Sequence, residues 1–282
     1  MNVISILISG RDIKLPYSIN DKSPNNSTGL CNQLFHFINS VSMYSLEDDV
    51  YFDFFSKDYR SGDLLKLSDI LDIQKMKNLY NWRINDLIKF EGGDCFIFKI
   101  GGVFMTYNSD VNKFIDITKK IIFNDKYELV SKKVIDNMFL NDEEVNLVHL
   151  RIDHDAEDHI SRHLSKSDFD NYVNSYKTEI LKNCSTDKKL VLLLEDINHP
   201  LVKELSTIYN VIYFSKDLIL ETYNSMYDDN VLEGREMYAL IDLLIGKNLK
   251  VDTYICAEGR VFTSSFSVLL KHLNQYKKTI TV

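Results

Sequence analysis

Asn146-Leu147-Val148-His149-Leu150-Arg151 reads as a buried strand that ends in a histidine and an arginine. Short runs of this kind form strands covered on both faces of a parallel sheet. In open α/β sheets ligands collect beyond the carboxyl ends of strands, which is where this run delivers its polar side chains. A guanidinium is the side chain best shaped to clamp phosphate oxygens with paired hydrogen bonds. Arg151 is therefore the leading functional residue, and a diphosphate is the ligand that suits it.

Downstream of this run, strand-like and helical patterns alternate. A helix within 167–183 is followed by a strand at 189–194, a helix at 199–209 and a strand at 211–214. A long helix at 233–247, a strand at 253–256 and a last helix at 265–276 complete the series. Such alternation predicts a parallel sheet with right-handed crossovers, a Rossmann-like domain. Upstream, the polar stretch Asn141-Asp142-Glu143-Glu144 marks the domain boundary, giving domains 1–144 and 145–282, with the last helix a candidate to pack back on the first. The first domain opens with a strand over 3–9 and an Asn-, Ser- and Pro-rich loop. A helix over 33–47 follows, with Phe35, Phe37, Ile38, Val41 and Tyr44 at helical spacing, and strands at 50–52 and 95–98. The rest of 64–139 shows no legible topology. With 3 prolines and 10 glycines there is no long flexible linker, so the two domains are expected to pack across a cleft.

The chain has 282 residues, 45% hydrophobic and 26% charged, enough for two ordinary cores. A net charge of −8 argues against a sequence-independent nucleic-acid binder, which needs a basic surface to release counterions. No run approaches the roughly 18 apolar residues of a transmembrane helix, and the opening Val3-Ile4-Ser5-Ile6-Leu7-Ile8-Ser9 has no basic region before it. Cys31, Cys95, Cys184 and Cys256 lack CxxC spacing, which argues against zinc and disulfides and for a reducing compartment. The expectation is a soluble, cytoplasmic protein. Its Asn-, Lys-, Asp- and Ile-rich composition suggests an AT-rich genome, and a virus-encoded enzyme acting in a host cytoplasm fits it.

Three further groups of residues can carry chemistry. Ser27-Thr28-Gly29-Leu30-Cys31-Asn32-Gln33 opens a helix whose first amides suit an anion, with Gly29 permitting close approach; plain capping is the simpler account. Ile152-Asp153-His154-Asp155 follows the informative strand, and either Asp153 or Asp155 can act as a general base on an acceptor hydroxyl; a solvated acidic turn is the bland alternative. A metal-dependent hydrolase built on His149, Asp153, His154, Asp155 and His159 ranks lower, because no helical HxxxH or other coordination spacing is expected there. Arg260-Val261-Phe262-Thr263-Ser264-Ser265-Phe266-Ser267 opens the last helix, where hydroxyls and amides complement phosphate. Asp242 lies on an otherwise apolar helical face and needs a partner, either paired donors on a guanine edge or Arg235 or Lys247.

In order along the chain, Gly29-Leu30-Cys31-Asn32-Gln33, His149-Leu150-Arg151, Asp242 and Ser264-Ser265-Phe266 resemble the motifs of the fucosyltransferase-like GT-B glycosyltransferases. That group includes the protein O-fucosyltransferases and the α1,6- and α1,2-fucosyltransferases. The unit from Leu192-Leu193-Leu194-Glu195-Asp196 through His199-Pro200 to Val211-Ile212-Tyr213-Phe214-Ser215 resembles it too. The resemblance implies an α/β GT-B fold, two Rossmann-like domains facing each other across a cleft, and inverting transfer without metal or other cofactor. By motif, His149 and Asp242 would contact the base, and Arg151 would hold the β-phosphate. Ser264, Ser265 and Phe266 would line diphosphate and base, with Gly29 and Asn32 approaching from the other domain. The implied reaction moves fucose from GDP-fucose to an oligosaccharide or glycoprotein hydroxyl. UDP-xylose is the alternative donor, and a catalytically inactive sugar-nucleotide or glycan-binding module is the rival class. Two departures stand out: the acidic cluster after Arg151, and an apparently lengthened loop that holds Gly246-Lys247-Asn248-Leu249-Lys250 and Ala257-Glu258-Gly259-Arg260.

Overall fold

In a computed structural model of the chain, the structure describes residues 3–6, 29–44, 49–52, 55–56, 64–86, 95–98, 111–140, 142–229, 234–259, 261–274 and 276–282. Two compact units emerge, one comprising Met1–Val130 and Tyr223–Ile241, the other Ser131–Thr222 and Asp242–Val282. The elements up to residue 138 are β1 (Val3–Ile6), α1 (Leu30–Tyr44), β2 (Asp49–Phe52), β3 (Phe55–Ser56), β4 (Leu64–Leu65), α2 (Leu67–Ile70), α3 (Ile73–Tyr80), β5 (Ile84–Asp86), β6 (Cys95–Phe98), α4 (Val111–Lys119) and α5 (Asp125–Met138). Then come β7 (Val145–His149), α6 (His154–His163), α7 (Lys166–Asn183), β8 (Leu190–Leu193), α8 (Pro200–Leu205), β9 (Val211–Tyr213), α9 (Lys216–Asn224), α10 (Arg235–Asn248), β10 (Val251–Cys256), α11 (Ser265–Leu273) and β11 (Lys278–Thr281).

In the first unit, β5-β2-β1-β6 form a parallel sheet, and β3 and β4 pair as a short antiparallel ribbon. Buried Leu30, Leu34, Phe35, Phe37, Ile38 and Val41 line α1, and the Phe35 ring packs 4.5 Å from that of Phe114 on α4. Asp72 caps α3 by accepting from the Lys75 amide at 2.9 Å, and Asn81, with φ of 57°, ends it in the left-handed conformation that asparagine tolerates.

The second unit holds a parallel five-stranded sheet in the order β11-β10-β7-β8-β9. Growth from β7 runs outward through β8 and β9, then reverses to add β10 and β11 on the opposite side. That reversal is the doubly wound topology, with a switch point between β7 and β10. On one face Val148, Leu150, Leu192 and Ile255 pack with Ile160 of α6, Phe169, Tyr172, Tyr176 and Ile180 of α7, and Leu201 and Leu205 of α8. Helices α10 and α11 cover the other face. A Cβ on Gly246 of α10 would lie 2.7 Å from Leu270 Cδ2 of α11 and 3.3 Å from Leu193 Cδ1 of β8. At the amino edge, Lys188 pairs with Glu144 at 2.8 Å and with Asp252 at 2.9 Å, and Lys189 pairs with Glu143 at 2.9 Å. Hydrogen bonds from Lys188 and Lys277 hold the half-buried Glu144 carboxyl down to about 2.

Four expectations are corrected. The last helix stops at Leu273, and residues 278–281 form the edge strand β11, whose Lys-Thr-Ile-Thr carries a single large apolar residue and so gives little strand signal. Helix α8 is only six residues, since the chain leaves the helix after Leu205 through a turn. The acidic cluster after Arg151 is the start of α6, not a turn. Gly246, Lys247 and Asn248 belong to α10 and are no loop insertion. The sequence reading also missed α9. Residues 7–9 of the first expected strand and the loop through Ser27 and Thr28 lie outside the described residues.

Gly246→Val is expected to lower stability by about 1–3 kcal/mol, because its side chain must displace the buried Leu270. Gly246→Ala should cost less, since alanine has ~1 kcal/mol better helix propensity than glycine. Urea unfolding midpoints compare the two; a valine midpoint equal to the parent's would show that the space beside Leu270 is not filled.

Candidate functional site

The tip of β7 is tightly folded. Leu150 N still donates to Leu193 O of β8 at 2.9 Å, but Arg151 N turns back to His149 O at 3.2 Å and Ile152 N to Leu150 O at 3.1 Å. From α7, Tyr176 pins this bend: its hydroxyl donates to His149 O at 2.9 Å and accepts from Arg151 N at 3.4 Å. A buried backbone carbonyl left without such a donor would cost about 1–3 kcal/mol, so the hydroxyl stabilises a shape that the strand ladder no longer imposes.

The Arg151 side chain is a quarter exposed and forms an ion pair with Asp153, with Asp155 Oδ2 3.9 Å from its other terminal nitrogen. Asp153 is 8% exposed and has a second task, since its Oδ1 accepts from Ala156 N at 3.0 Å as the N-cap of α6. One carboxylate thus starts the helix and fixes the guanidinium, with both oxygens engaged. That arrangement suits positioning better than proton abstraction. Asp155, in the first turn of α6, is 43% exposed.

On the other face of the sheet, His149 is 7% exposed, and its ring lies 4.4 Å from the Phe266 ring at 30°. His149 Nδ1 and Ser267 Oγ share a 2.6 Å hydrogen bond, and Ala257 N donates to the same Oγ at 3.0 Å. Ser267 therefore ties together the tips of β7 and β10 across the switch point. Burial and then the Arg151 charge push the His149 ring down to about 3, so it is neutral at physiological pH. Ser264, 7% exposed, occupies the N-cap of α11 but makes no capping hydrogen bond, which leaves the first-turn amides without a side-chain acceptor among the described residues. Half-buried Ser265 and buried Phe266 follow in that turn. Arg260 lies outside the described residues.

Asp242 keeps some exposure, but apolar neighbours enclose its carboxyl closely enough that burial pushes it up to about 7, against an opposing pull from Lys216. Neither Arg235 nor Lys247 pairs with it among the described residues. In the first unit, Gly29 precedes α1 and partly buried Asn32 lies in its first turn. Leu30 N donates to Glu236 Oε2 at 2.6 Å, and a Cβ on Gly29 would lie 3.3 Å from that oxygen. The start of α1 thus already holds an acceptor, the buried carboxyl group of Glu236.

The structure brings His149, Arg151, Asp153, Asp155, Ser264, Ser265 and Phe266 onto the tips of β7 and β10 and the helices that follow them. Ser267, Tyr176 and Glu236 act beside the sites read from sequence and were missed. Only Ser267 had a signal, as the last residue of the segment Arg260 to Ser267 that the sequence had already singled out. His159 and His163, four apart on α6 with rings 4.6 Å from each other, form an HxxxH pair, which corrects the expectation that no such spacing is present. Among the described residues no three His, Cys, Asp or Glu side chains converge, and no helix is long and apolar enough to cross a membrane.

No protein-family model matches the chain, and no curated protein matches it in sequence. Solved structures do share its fold. POFUT1 in complex with GDP-fucose aligns with a TM-score of 0.60 over 99% of this chain and 98% of its own, at 10% identity. POFUT1 in complex with GDP gives 0.59 over the same shares, also at 10% identity. The fucosyltransferase NodZ from Bradyrhizobium gives 0.55 over 97% of this chain and 94% of its own, at 12% identity. At such identity the likeness is one of fold, and the fold is the α/β GT-B type of these fucosyltransferases.

Proposed function

We propose that the protein is an inverting, metal-independent glycosyltransferase that moves fucose from GDP-fucose to a hydroxyl of a glycan or glycoprotein, acting in the cytoplasm. The observation that carries this reading is Arg151, held by Asp153 at the carboxyl edge of a doubly wound sheet beside its switch point. The uncapped start of α11 and the Ser264 hydroxyl add donors for a diphosphate, and Phe266 and His149 offer a flat apolar surface with one polar edge. Further support comes from the fold it shares with a protein solved with GDP-fucose.

In this reading Arg151 stabilises the charge that collects on the departing diphosphate. The acceptor oxygen bonds to the anomeric carbon as the bond to the β-phosphate oxygen breaks. Its proton passes to a carboxylate, and of the two acidic residues Asp155 is the better base, because Asp153 is committed to Arg151 and the α6 amide. Asp242, when ionised, has two oxygens to accept the paired N–H donors of guanine.

Arg151→Ala should weaken GDP binding by on the order of 2–5 kcal/mol and lower the stability of the free protein by less than that, because Asp153 keeps its hydrogen bond from Ala156 N. Asp153→Asn keeps a good N-cap but loses the ion pair, so it should weaken GDP binding while leaving stability nearly intact. Asp153→Ala should also lose about 1 kcal/mol of stability. Calorimetric titration with GDP and UDP, plus thermal melts of each variant, reads both effects. GDP binding unchanged in Arg151→Ala would move the site elsewhere, and tighter binding of UDP would make the donor a uridine nucleotide.

Asp242 gives a pH test. A carboxyl raised in the folded chain leaves stability fully present below the ordinary carboxylate range and removes it as pH rises through about 7. Asp242→Asn should therefore gain melting temperature relative to the parent between pH 5 and pH 8. In the parent, GDP affinity should rise over the same interval as Asp242 ionises, and IDP, which lacks the exocyclic amine, should bind more weakly. A flat difference between the two melting curves would mean that the Asp242 carboxyl is not raised. Equal affinity for GDP and IDP would remove it from the base pocket.

A further inference from the structure

We infer that Ser267 locks His149 in the tautomer that carries its proton on Nε2, so the ring offers the nucleotide a hydrogen-bond donor and never an acceptor. The argument is a count of protons. Ser267 is fully buried, and among the described residues its Oγ has two partners, Ala257 N at 3.0 Å and His149 Nδ1 at 2.6 Å. An amide N–H can only donate, so one Oγ lone pair is taken by Ala257. The hydroxyl proton must then go to an acceptor or remain buried and unsatisfied, which costs about 1–3 kcal/mol. His149 Nδ1 is the acceptor within reach. If Nδ1 instead carried the proton, Oγ would receive two donors and its own hydrogen would have none of the described residues to bond.

The lock has a second consequence. A protonated ring would also place a hydrogen on Nδ1, facing a hydroxyl that already points its own hydrogen there. That conflict, together with burial and the nearby Arg151 charge, keeps the ring neutral. His149 is then a fixed, uncharged donor at the tip of β7, suited to a carbonyl, hydroxyl or phosphate oxygen of a nucleotide. The nucleotide half of this inference rests on the proposed donor site; the tautomer itself does not. Ser267 is a positioning residue that acts through His149.

Long-range proton–nitrogen correlation spectra of protein labelled with ¹⁵N-histidine test it, with the His149 signals identified by their loss in His149→Gln. The parent should show the Nε2–H pattern, unchanged from pH 6 to pH 8. An Nδ1–H pattern, or a ring that titrates in that interval, overturns the inference without any Ser267 variant. In Ser267→Ala the pattern should become mixed and GDP affinity should fall about tenfold, the loss expected for one hydrogen bond. Ser267→Thr, which keeps the hydroxyl, should restore the pattern. A Ser267→Ala protein with the parent's pattern and affinity also overturns it. Absence of GDP binding in the parent would sink the donor-site reading, while the spectrum would still decide the tautomer.

Discussion

The reversal of strand order at β7 is the constraint on which the second unit depends. Because β8 and β9 extend the sheet on one side and β10 and β11 on the other, the chains leaving β7 and β10 turn to opposite faces. Helix α6 packs with Tyr172 and Tyr176 on one face, while α11 sets Ser267 and Phe266 against His149 on the other. Adjacent strand tips whose continuations diverge cannot cover each other's polar ends. Side chains must do it, and here Tyr176, Asp153 and Ser267 each satisfy groups that the sheet leaves open.

Such sharing shapes the energetics. A charged pair as enclosed as Arg151 and Asp153 is a poor source of stability, because desolvation offsets most of the Coulomb attraction. Its value lies in geometry. Asp153 would be needed as the α6 cap even without an arginine, so clamping Arg151 adds little cost to a carboxylate already dehydrated at a helix N-terminus. Stability comes instead from the apolar cluster behind the strand, while the partly exposed ion pairs of Glu143, Glu144 and Asp252 with Lys188 and Lys189 at the opposite edge add little.

What the sequence disclosed follows the same division. Strands β7, β8 and β10 are legible because burial on both faces demands nearly continuous apolar runs. The edge strand β11 needs no such run and was not read as an element at all. Helix α6 was hidden by its own cap and acidic first turn, which are good helix-start signals yet look like a loop when no apolar stripe dominates. In the first unit, β3, β4 and α2 are two to four residues long, too short for any period to declare itself. Arg151, His149 and the Ser264 to Phe266 segment could be read from position relative to strand and helix. Tyr176 and Glu236 could not, since their partners lie 27 and 206 residues away, and although Ser267 fell within a chosen segment, its tie to His149, 118 residues away, was not legible. Lone hydroxyls and carboxylates carry no periodic signature.

The two helix starts that the sequence offered to an anion turn out to be unlike. At α1 the Leu30 amide is met by the buried Glu236 carboxylate, and Gly29 leaves just enough room for it. A phosphate there would face a like charge in a confined space, an arrangement that costs energy unless the carboxylate is protonated or moves away. At α11 the N-cap residue makes no capping hydrogen bond, no carboxylate side chain among the described residues caps the first turn, and the helix dipole is unopposed by any acidic residue in that turn. The helix start that keeps its amides for a ligand is therefore the one that follows β10, beside the switch point and on the same unit as Arg151. For the proposed donor site, that asymmetry, which neither segment betrays in its own sequence, favours the second unit as the seat of a diphosphate and assigns Gly29 a packing duty around Glu236.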